Sequence, residues 1–162
     1  MTVRLAGPAD AEALVSLVSA FRDHLGADRP SVATLRHFLP ELLADEAAEL
    51  SLAFSPEGAP IGYANCRFFR SLWSTSWEAH LEDLFVLEPS RGAGSGRGLL
   101  DFVVARARER RCAAIGLHTN EANTRAQAFY RRMHFEVASE ARWDGGRECY
   151  WVRELDDEVE AT

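Results

Sequence analysis

A glycine-rich segment near the middle of the chain has the composition of an anion-binding loop. Glycines stand at positions 92, 94, 96 and 98, within the segment Arg91-Gly92-Ala93-Gly94-Ser95-Gly96-Arg97-Gly98. Glycine adopts backbone conformations closed to other residues and allows close approach, so successive N–H groups can point at one anion. A helix that begins directly after such a loop adds the positive end of its dipole. The segment therefore predicts a cradle for a diphosphate, and Arg91 and Arg97 favour the same ligand.

Two common nucleotide-binding loops do not fit this segment. A Walker A loop requires a lysine, whereas all 18 basic residues of this chain are arginine. A Rossmann loop requires a third glycine where Arg97 or Leu99 stands, depending on which glycine begins the motif. We therefore expect neither an ATPase-type loop nor a nicotinamide or flavin site.

The charge of the chain restricts its partners. A formal net charge of -7 argues against a nucleic-acid partner, because nucleic-acid binding depends on basic side chains that neutralise phosphates. A cationic small molecule is a better match. No apolar run of about 18 residues is present, so we expect no membrane partner.

The cysteines indicate a reducing compartment. Cys66, Cys112 and Cys149 are odd in number and widely spaced, which suits neither a disulfide framework nor a zinc site. The N-terminus lacks the basic-then-apolar layout of a signal peptide. We expect a cytoplasmic protein without a metal.

The order of elements predicts an α+β fold built on a mixed, mostly antiparallel sheet in a three-layer arrangement. Apolar spacing and turn residues give the order β-α-α-β-β-β-α-β-α-β-β, with a strand over 77–87 before the glycine loop and a helix over 94–110 after it. Ser31 is a good N-cap for the second helix, which Pro40 is expected to bend or break into two pieces. Leu25 is expected on the apolar face of the first helix. We assign residues 1–155 to one domain and 156–162 to an acidic tail.

Three sequence blocks carry a resemblance to a known family. They are Leu81-Glu82-Asp83-Leu84-Phe85-Val86, the glycine segment, and Asn123-x-x-Ala126-x-x-Phe129-Tyr130. In content and spacing the blocks resemble the GNAT superfamily of acetyl-CoA-dependent N-acetyltransferases, and within it the diamine and thialysine acetyltransferase branch. Ser95 departs from the usual aliphatic residue, and His134 stands where the family usually has glycine before a phenylalanine.

The resemblance implies a site for acetyl-CoA where the fourth and fifth strands splay apart to form a cleft. It implies that the pantetheine arm hydrogen-bonds, in the manner of a strand, to the backbone of Leu84 and Val86. The backbone N–H of Phe85 or of a near neighbour is a candidate to polarise the thioester carbonyl. The resemblance also implies contacts of the cofactor with Asn123 and Ala126, and of its diphosphate with residues 91–97. Homodimers are common in the family, but this sequence does not indicate an interface.

Acetylation of an amine needs a base, because an alkylammonium has a pKa near 10. Glu82 lies on the strand before the loop and is the candidate base. The resemblance implies that it acts through a water molecule, as the glutamate at this position does in the diamine branch. Its neighbour Asp83 must point to the opposite face. The alternative is that Glu82 only solvates the end of a strand.

Tyr130 is the candidate acid that protonates the departing CoA sulfur, and the alternative is that its ring only packs in the core.

The acceptor is expected to be a small-molecule amine: a polyamine, a diamine or an amino-acid-like compound. Aromatic faces and carboxylates attract ammonium groups, so we expect its binding to involve a carboxylate of the first helix and aromatic residues before Glu82: Asp23, Trp73, Trp77 and His80. His118 is interpreted as an ordinary histidine, and Cys112 as a core residue. Two alternatives are a peptide or protein N-acetyltransferase and a non-catalytic acyl-CoA-binding regulatory module.

Overall fold

The computed structural model describes residues 1–143 and 146–155. In chain order the elements are β1 (Thr2–Leu5), α1 (Ala11–His24), α2 (Val32–Ala44), β2 (Ala48–Phe54), β3 (Pro60–Arg70), β4 (Trp77–Val86), α3 (Ser95–Glu109), β5 (Cys112–Asn120), α4 (Thr124–Arg132), β6 (Glu136–Trp143) and β7 (Gly146–Glu154). One-turn 3-10 helices, Pro8–Asp10 and Glu88–Ser90, precede α1 and follow β4. The predicted order of strands and helices is confirmed. The predicted turn at 144–145 and the predicted tail 156–162 lie outside the described residues.

The strands of the described chain form one mixed sheet in the order β1-β2-β3-β4-β5-β7-β6. The pairs β1–β2, β2–β3, β5–β7 and β6–β7 are antiparallel, and β4–β5 is parallel. The parallel pair follows from the connection through α3, because a parallel return needs a crossover of a dozen or more residues. This arrangement confirms the predicted mixed, mostly antiparallel sheet.

The pairing of β4 with β5 covers only the first half of β4. The register runs from Trp77↔Cys112 to Leu81↔Leu117, whereas β4 continues to Val86 and β5 to Asn120. Glu82 is therefore the first residue of β4 beyond the paired stretch.

The chain divides into two compact units. One comprises Met1–Arg67 with Asp83–Val103, and the other comprises Phe68–Glu82 with the described part of Val104–Thr162. In the first unit, α1 and α2 bury their apolar faces on β2, β3 and the end of β4. The core members are Leu14, Val15, Leu17, Leu35, Leu39, Leu50, Leu52, Tyr63 and Phe85. In the second unit, the alternating residues Ile115 and Leu117 are buried on β5 and Trp151 is buried on β7. The assignment of 1–155 to one domain stays a prediction.

Two expectations about the helices were wrong in detail. Leu25 is the C-cap residue of α1 and is 64% exposed, because α1 ends at His24 and the chain turns away there. α2 is one continuous helix with Pro40 inside it, and Ser31 caps it by accepting a hydrogen bond from the Thr34 N–H. Proline removes only one intrahelical hydrogen bond, and burial of Leu39 on the core offsets that loss.

Among the described residues, no helix is long and apolar enough to cross a bilayer.

Candidate active site

The glycine loop has the backbone conformation that its composition predicted. Gly92 and Gly94 have φ values of +89° and +84°, which favour glycine, and a β-carbon at either position would meet no other atom within 4 Å. Helix α3 begins at Ser95 and continues for 15 residues. The loop thus presents open space directly before a long helix, where unpaired N–H groups attract anions.

The two arginines of the loop have different environments. Arg91 Nε donates a hydrogen bond to the Val86 carbonyl at 2.8 Å, and its guanidinium lies 5.6 Å from the centre of the Phe85 ring. Arg97 is largely exposed and pairs with Asp101, one turn further along α3, at 3.4 Å. Arg91 therefore ties the loop to the end of β4, while the Arg97 side chain extends into solvent.

The buried Ser95 explains how the loop tolerates a hydroxyl at this position. The Ser95 side chain is 2% exposed, and its hydroxyl donates to the Ser90 carbonyl at 3.3 Å. A buried hydroxyl with a hydrogen-bond partner avoids most of the desolvation penalty. The Ser95 hydroxyl thus has a hydrogen-bond partner within the loop.

The end of β4 runs unusually close to β3. A β-carbon at Gly62 would lie 2.6 Å from the Phe85 carbonyl oxygen, so only glycine fits there. The Leu87 N–H donates to the Ile61 carbonyl at 2.9 Å, which continues the association of the two segments beyond β4. Phe85 is buried, with its ring stacked on Phe21 at 5.0 Å. These contacts fix the backbone of residues 84–86.

Asp83 and Glu82 point to opposite faces of β4, as strand alternation requires. Asp83 shares a hydrogen bond with the buried Tyr63; burial raises the pKa of Tyr63 well above its ordinary value, and the Asp83 charge adds to that effect. Glu82 is exposed and lies close enough to His80, two residues earlier on the same face, for its charge to act on the pKa of that imidazole. Of these two neighbouring carboxylates, Glu82 is the one that lies on the His80 face.

His80 belongs to a cluster of rings on β4, β5 and β7. Its Nε2 lies 3.4 Å from Nδ1 of His118, and the Tyr150 ring lies 4.8 Å from the His118 ring and 6.3 Å from the His80 ring. Burial lowers the pKa of His80, His118 lowers it further, and the Glu82 charge opposes both. The net effect favours the neutral imidazole of His80.

Tyr150 lies across the backbone of β5. A β-carbon at Gly116 would overlap the Tyr150 hydroxyl oxygen, so the phenol occupies the space that a side chain at 116 would fill. Burial raises the pKa of Tyr150, and the charges of Glu78 and Glu154 raise it further. Tyr150 thus remains a neutral phenol between carboxylates.

Tyr130 lies near the end of α4 and is half-buried. Its ring contacts Phe129 at 5.3 Å and Phe135 at 5.8 Å, and its carbonyl accepts a hydrogen bond from the Phe135 N–H at 3.0 Å. The chain turns at His134, whose φ of +64° is the left-handed conformation that glycine adopts most easily. The tight turn explains why glycine is the usual residue here.

Asn123 caps α4. Its side-chain oxygen accepts a hydrogen bond from the Ala126 N–H at 3.1 Å. Both residues therefore belong to the first turn of a helix.

The residues predicted to select the acceptor have different environments. Trp73 is 99% exposed in the loop before β4, and Trp77 lies at the start of β4 beside Arg70. At about 3.3 Å per residue, Trp77 is about 17 Å along the strand from Glu82. Asp23 belongs to the other unit, where it forms an exposed ion pair with Arg22. His80 lies two residues from Glu82 on the same face of β4, and the roles of Asp23, Trp73 and Trp77 stay predictions.

Comparison with known proteins identifies the family. The model of the acetyltransferase (GNAT) family matches residues 17–135, which contain all three sequence blocks described above. The chain belongs to the GNAT family. The predictions of a GNAT fold and of an acyltransferase are confirmed by this membership. Enzymes of this family use acetyl-CoA.

Individual relatives support the same assignment. A D-amino-acid N-acetyltransferase of Saccharomyces cerevisiae, HPA3, is 34% identical over 88 residues, which cover 54% of this chain and 55% of the yeast protein. The chain thus matches about half the length of that relative. A solved structure from Arthrobacter sp. FB24, described as an acetyltransferase, is 29% identical with a TM-score of 0.76, covering 90% of this chain and 89% of its own.

A third comparison concerns the GNAT fold alone. The ribosomal-protein-alanine N-acetyltransferase of Brucella melitensis is 24% identical and has a TM-score of 0.79, covering 96% of this chain and 100% of its own. The fold is therefore shared across GNAT proteins whose names specify different acceptors. Within residues 1–143 and 146–155, no cluster of three or more His, Cys, Asp or Glu side chains is arranged to hold a metal.

The sequence did not indicate three residues that cluster around His80 in this GNAT chain. His118, Tyr150 and Gly116 were given no role, yet they lie on the same face as His80. The strand period of two already placed Gly116 and His118 on one face of β5. The register of β4, β5 and β7 cannot be read from strand alternation, so the period of two on β5 was not enough to find the cluster.

Proposed function

We propose that this protein is an N-acetyltransferase that transfers the acetyl group of acetyl-CoA directly to a primary amine of a small molecule. The observation that carries the proposal is the conformation of the glycine loop. Left-handed Gly92 and Gly94 with open space above them, directly before α3, suit a bound diphosphate.

The cofactor would be held mainly by backbone groups. The N–H groups of residues 92–97 bind the diphosphate, with Arg91 and Arg97 adding positive charge. The backbone around Leu84, Phe85 and Val86 is held by Gly62 and Arg91 and bonds to the pantetheine arm. Asn123 and Ala126, in the first turn of α4, make further contacts.

The chemistry requires three proton transfers. Glu82 removes a proton from the ammonium through a water molecule, which gives the neutral amine that attacks the thioester carbon. The new C–N bond forms as the C–S bond breaks, and Tyr130 supplies a proton to the departing CoA sulfur. The second proton that the amine nitrogen loses on becoming an amide restores the Tyr130 phenol. At a pH where the acceptor is an ammonium and CoA is a thiol, each turnover releases one proton.

We propose a small cationic acceptor: a polyamine, a diamine or an amino-acid-like amine. The charge of Glu82 acts on His80, and the charges of Glu78 and Glu154 act on Tyr150, so three carboxylates contribute negative potential around these rings. Resemblance to the diamine branch supports a diamine. Similarity to the D-amino-acid N-acetyltransferase HPA3 supports an amino-acid-like amine.

We also propose a cytoplasmic location for the enzyme. Cys66, Cys112 and Cys149 are buried free thiols, which suit the reducing conditions of the cytoplasm. A homodimer is a prediction from the family resemblance alone.

The decisive experiment is an acceptor panel. The protein is incubated with acetyl-CoA and a thiol reagent against diamines, polyamines, D- and L-amino acids and peptide N-termini, and CoA release is recorded. We expect release with at least one small amine. Release only with peptides would favour a peptide N-acetyltransferase. Thermal stabilisation by acetyl-CoA without release from any acceptor would favour a non-catalytic acyl-CoA-binding module.

A further inference from the structure

We propose that Glu121 and Arg147 are positioning residues for the reaction. Their ion pair holds α4, the helix that carries Tyr130 and that Asn123 caps. The inference rests on the proposed N-acetyltransferase activity. Neither residue takes part in the reaction, and both act through the position of α4.

The helix α4 is short and is held only partly by burial of its side chains. It runs from Thr124 to Arg132, and all nine of these residues are described, none of them fully buried. A helix of this length is marginal by itself, so its stability must come mostly from contacts with the rest of the fold. The segment that leads into α4 therefore contributes to its position.

The loop of residues 120–123 leads from β5 into α4 and is hydrogen-bonded to the helix. The Asn123 N–H donates to the Asn120 carbonyl at 3.0 Å. Gln127, in the first part of α4, donates from its Nε2 to the Glu121 carbonyl at 2.8 Å. The same Nε2 lies 3.3 Å from the Asn120 carbonyl. A displacement of the loop would therefore be passed to α4.

Arg147 of β7 binds this loop through both its backbone and its side chain. The Arg147 N–H donates to Oε1 of Glu121 at 3.1 Å, and Arg147 Nε donates to Oε2 at 3.0 Å. The Glu121 N–H donates in return to the Arg147 carbonyl at 2.8 Å. Both carboxylate oxygens are thus bound, and a two-point contact of this kind fixes orientation as well as distance.

Two neighbours fix the arginine in turn. Arg147 Nη1 donates to Glu140 of β6 at 2.6 Å, so the guanidinium lies between two carboxylates. Gly146 has a φ of +116°, which favours glycine, and a β-carbon there would lie 3.4 Å from the Asn120 side chain. The hairpin of β6 and β7 is therefore joined to the loop before α4, although Glu121 and Arg147 are 26 positions apart.

The exposure of the ion pair limits its effect on overall stability. The side chains of Arg147 and Glu121 are 41% and 39% exposed, and ion pairs at such positions contribute little to the free energy of unfolding. Their effect on the reaction can be larger, because a displacement of about 1 Å can lower a rate about 100-fold. We therefore expect the pair to affect cofactor binding and turnover more than unfolding.

The test compares Arg147→Gln with a matched control. Arg147→Gln removes the bonds to both carboxylates, and Arg36→Gln breaks an exposed ion pair between α2 and Glu12 of α1. Three quantities are measured: the Kd of acetyl-CoA by calorimetry, kcat at saturating acetyl-CoA with the best acceptor, and amide hydrogen exchange along the chain.

We expect R147Q to bind acetyl-CoA about tenfold more weakly and to lower kcat about tenfold or more. Amide exchange in residues 124–132 should become faster. R36Q should change none of these quantities, and the melting temperatures of the two variants should be similar. Arg147→Lys should recover part of the loss, because it keeps the charge but lacks the planar two-point contact.

Several outcomes separate the ion pair from the activity on which it rests. If the wild type neither binds acetyl-CoA nor transfers its acetyl group, the proposed function and the inference fail together. If the wild type is active and R147Q keeps the same Kd, kcat and exchange, only the role of Glu121 and Arg147 is overturned. A loss of activity without faster exchange in α4 would overturn that role as well. If R147Q does not fold, Glu121→Gln gives the same comparison, since it removes the charge and keeps the shape of the side chain.

Discussion

The hydroxyl oxygen of Tyr150 occupies the position where a β-carbon of residue 116 would lie, so Gly116 on β5 and Tyr150 on β7 are sterically matched. The antiparallel pairing places Tyr150 opposite His118, two residues from Gly116. The match therefore fixes a ring that contacts both histidines beside Glu82.

Gly116→Ala should displace the Tyr150 ring. Forcing an extra carbon into packed space destabilises a protein by about 1 to 3 kcal/mol, and we expect a loss in that range. Urea unfolding of G116A, Y150A and the double variant would measure the coupling. The double variant should be more stable than the sum of the single losses predicts, because removing the ring relieves the clash. Strictly additive losses would mean that the two residues do not compete for space.

Gly94→Ala should weaken acetyl-CoA binding. Alanine at a φ of +84° costs about 1 to 2 kcal/mol, and any relaxation moves the N–H groups of the loop. Gly58→Ala is the matched control, since Gly58 has a φ of +86° in the turn between β2 and β3 and equally open surroundings. Calorimetry should show at least a tenfold weaker affinity for acetyl-CoA in G94A only. Equal affinities in the two variants would argue against a cofactor cradle at residues 92–97.

Tyr130→Phe should lower kcat by about 10² or more if the phenol protonates the departing thiolate. The ring contacts with Phe129 and Phe135 do not need the hydroxyl, so the variant keeps them, and its melting temperature separates a loss of catalysis from a loss of stability. Steady-state kinetics with the best acceptor of the panel would measure the effect. An unchanged kcat would assign Tyr130 to packing.

Acid stability should depend on Asp10. The Arg4 guanidinium bonds to this carboxylate and, with a hydrogen bond from the Gly7 N–H, lowers its pKa to about 2 against the opposing effect of burial. Because the folded pKa lies below the unfolded value, the stabilisation is present above about pH 4 and is lost as the pH falls towards 2. Asp10→Asn should lower the free energy of unfolding by about 1 kcal/mol at pH 7, allowing for the exposure of Arg4. It should also reduce the loss of stability between pH 4 and pH 2.

The control for Asp10 is Glu12→Gln, which removes an exposed pair with Arg36. Exposed pairs contribute little, so its effect should be under about 0.5 kcal/mol. Unfolding free energies of the wild type and both variants between pH 2 and pH 7 would decide the matter. If the unfolding free energy of D10N falls below pH 4 as steeply as that of the wild type, other carboxylates cause the acid sensitivity.

His134→Gly should stabilise the protein by about 1 kcal/mol. His134 has a φ of +64°, where a β-carbon is unfavourable and glycine is not. His37→Gly, within α2, should have the opposite sign and destabilise by about 1 kcal/mol, because glycine weakens helices. Denaturant unfolding would measure both changes. A loss of stability in H134G would mean that contacts of the imidazole outweigh the strain.

The sequence was sufficient for the features that depend on local spacing. Glycine at positions 92 and 94 predicted the loop because no other residue adopts its φ angles as easily, and Ser31 predicted the start of α2 because its hydroxyl satisfies a backbone N–H. The prediction that Pro40 breaks α2 was wrong, because it considered only the local effect of proline on the helix. The helix is also stabilised by burial of its apolar face, which depends on β2 and β3. Trp73 and Trp77 stay predictions, because their place relative to a bound acceptor depends on the conformation of the loop before β4 and on where β4 begins.

By itself, therefore, the sequence determined the order of elements, the glycine loop and the opposed directions of Glu82 and Asp83, since propensity and strand alternation act over a few residues. Only the tertiary structure decided which side chains meet beside Glu82. His80 and His118 are 38 positions apart, and Gly116 and Tyr150 are 34 apart. Their contacts depend on the register of β4, β5 and β7, which the packing of buried residues such as Leu81, Leu117 and Trp151 sets across the whole sheet.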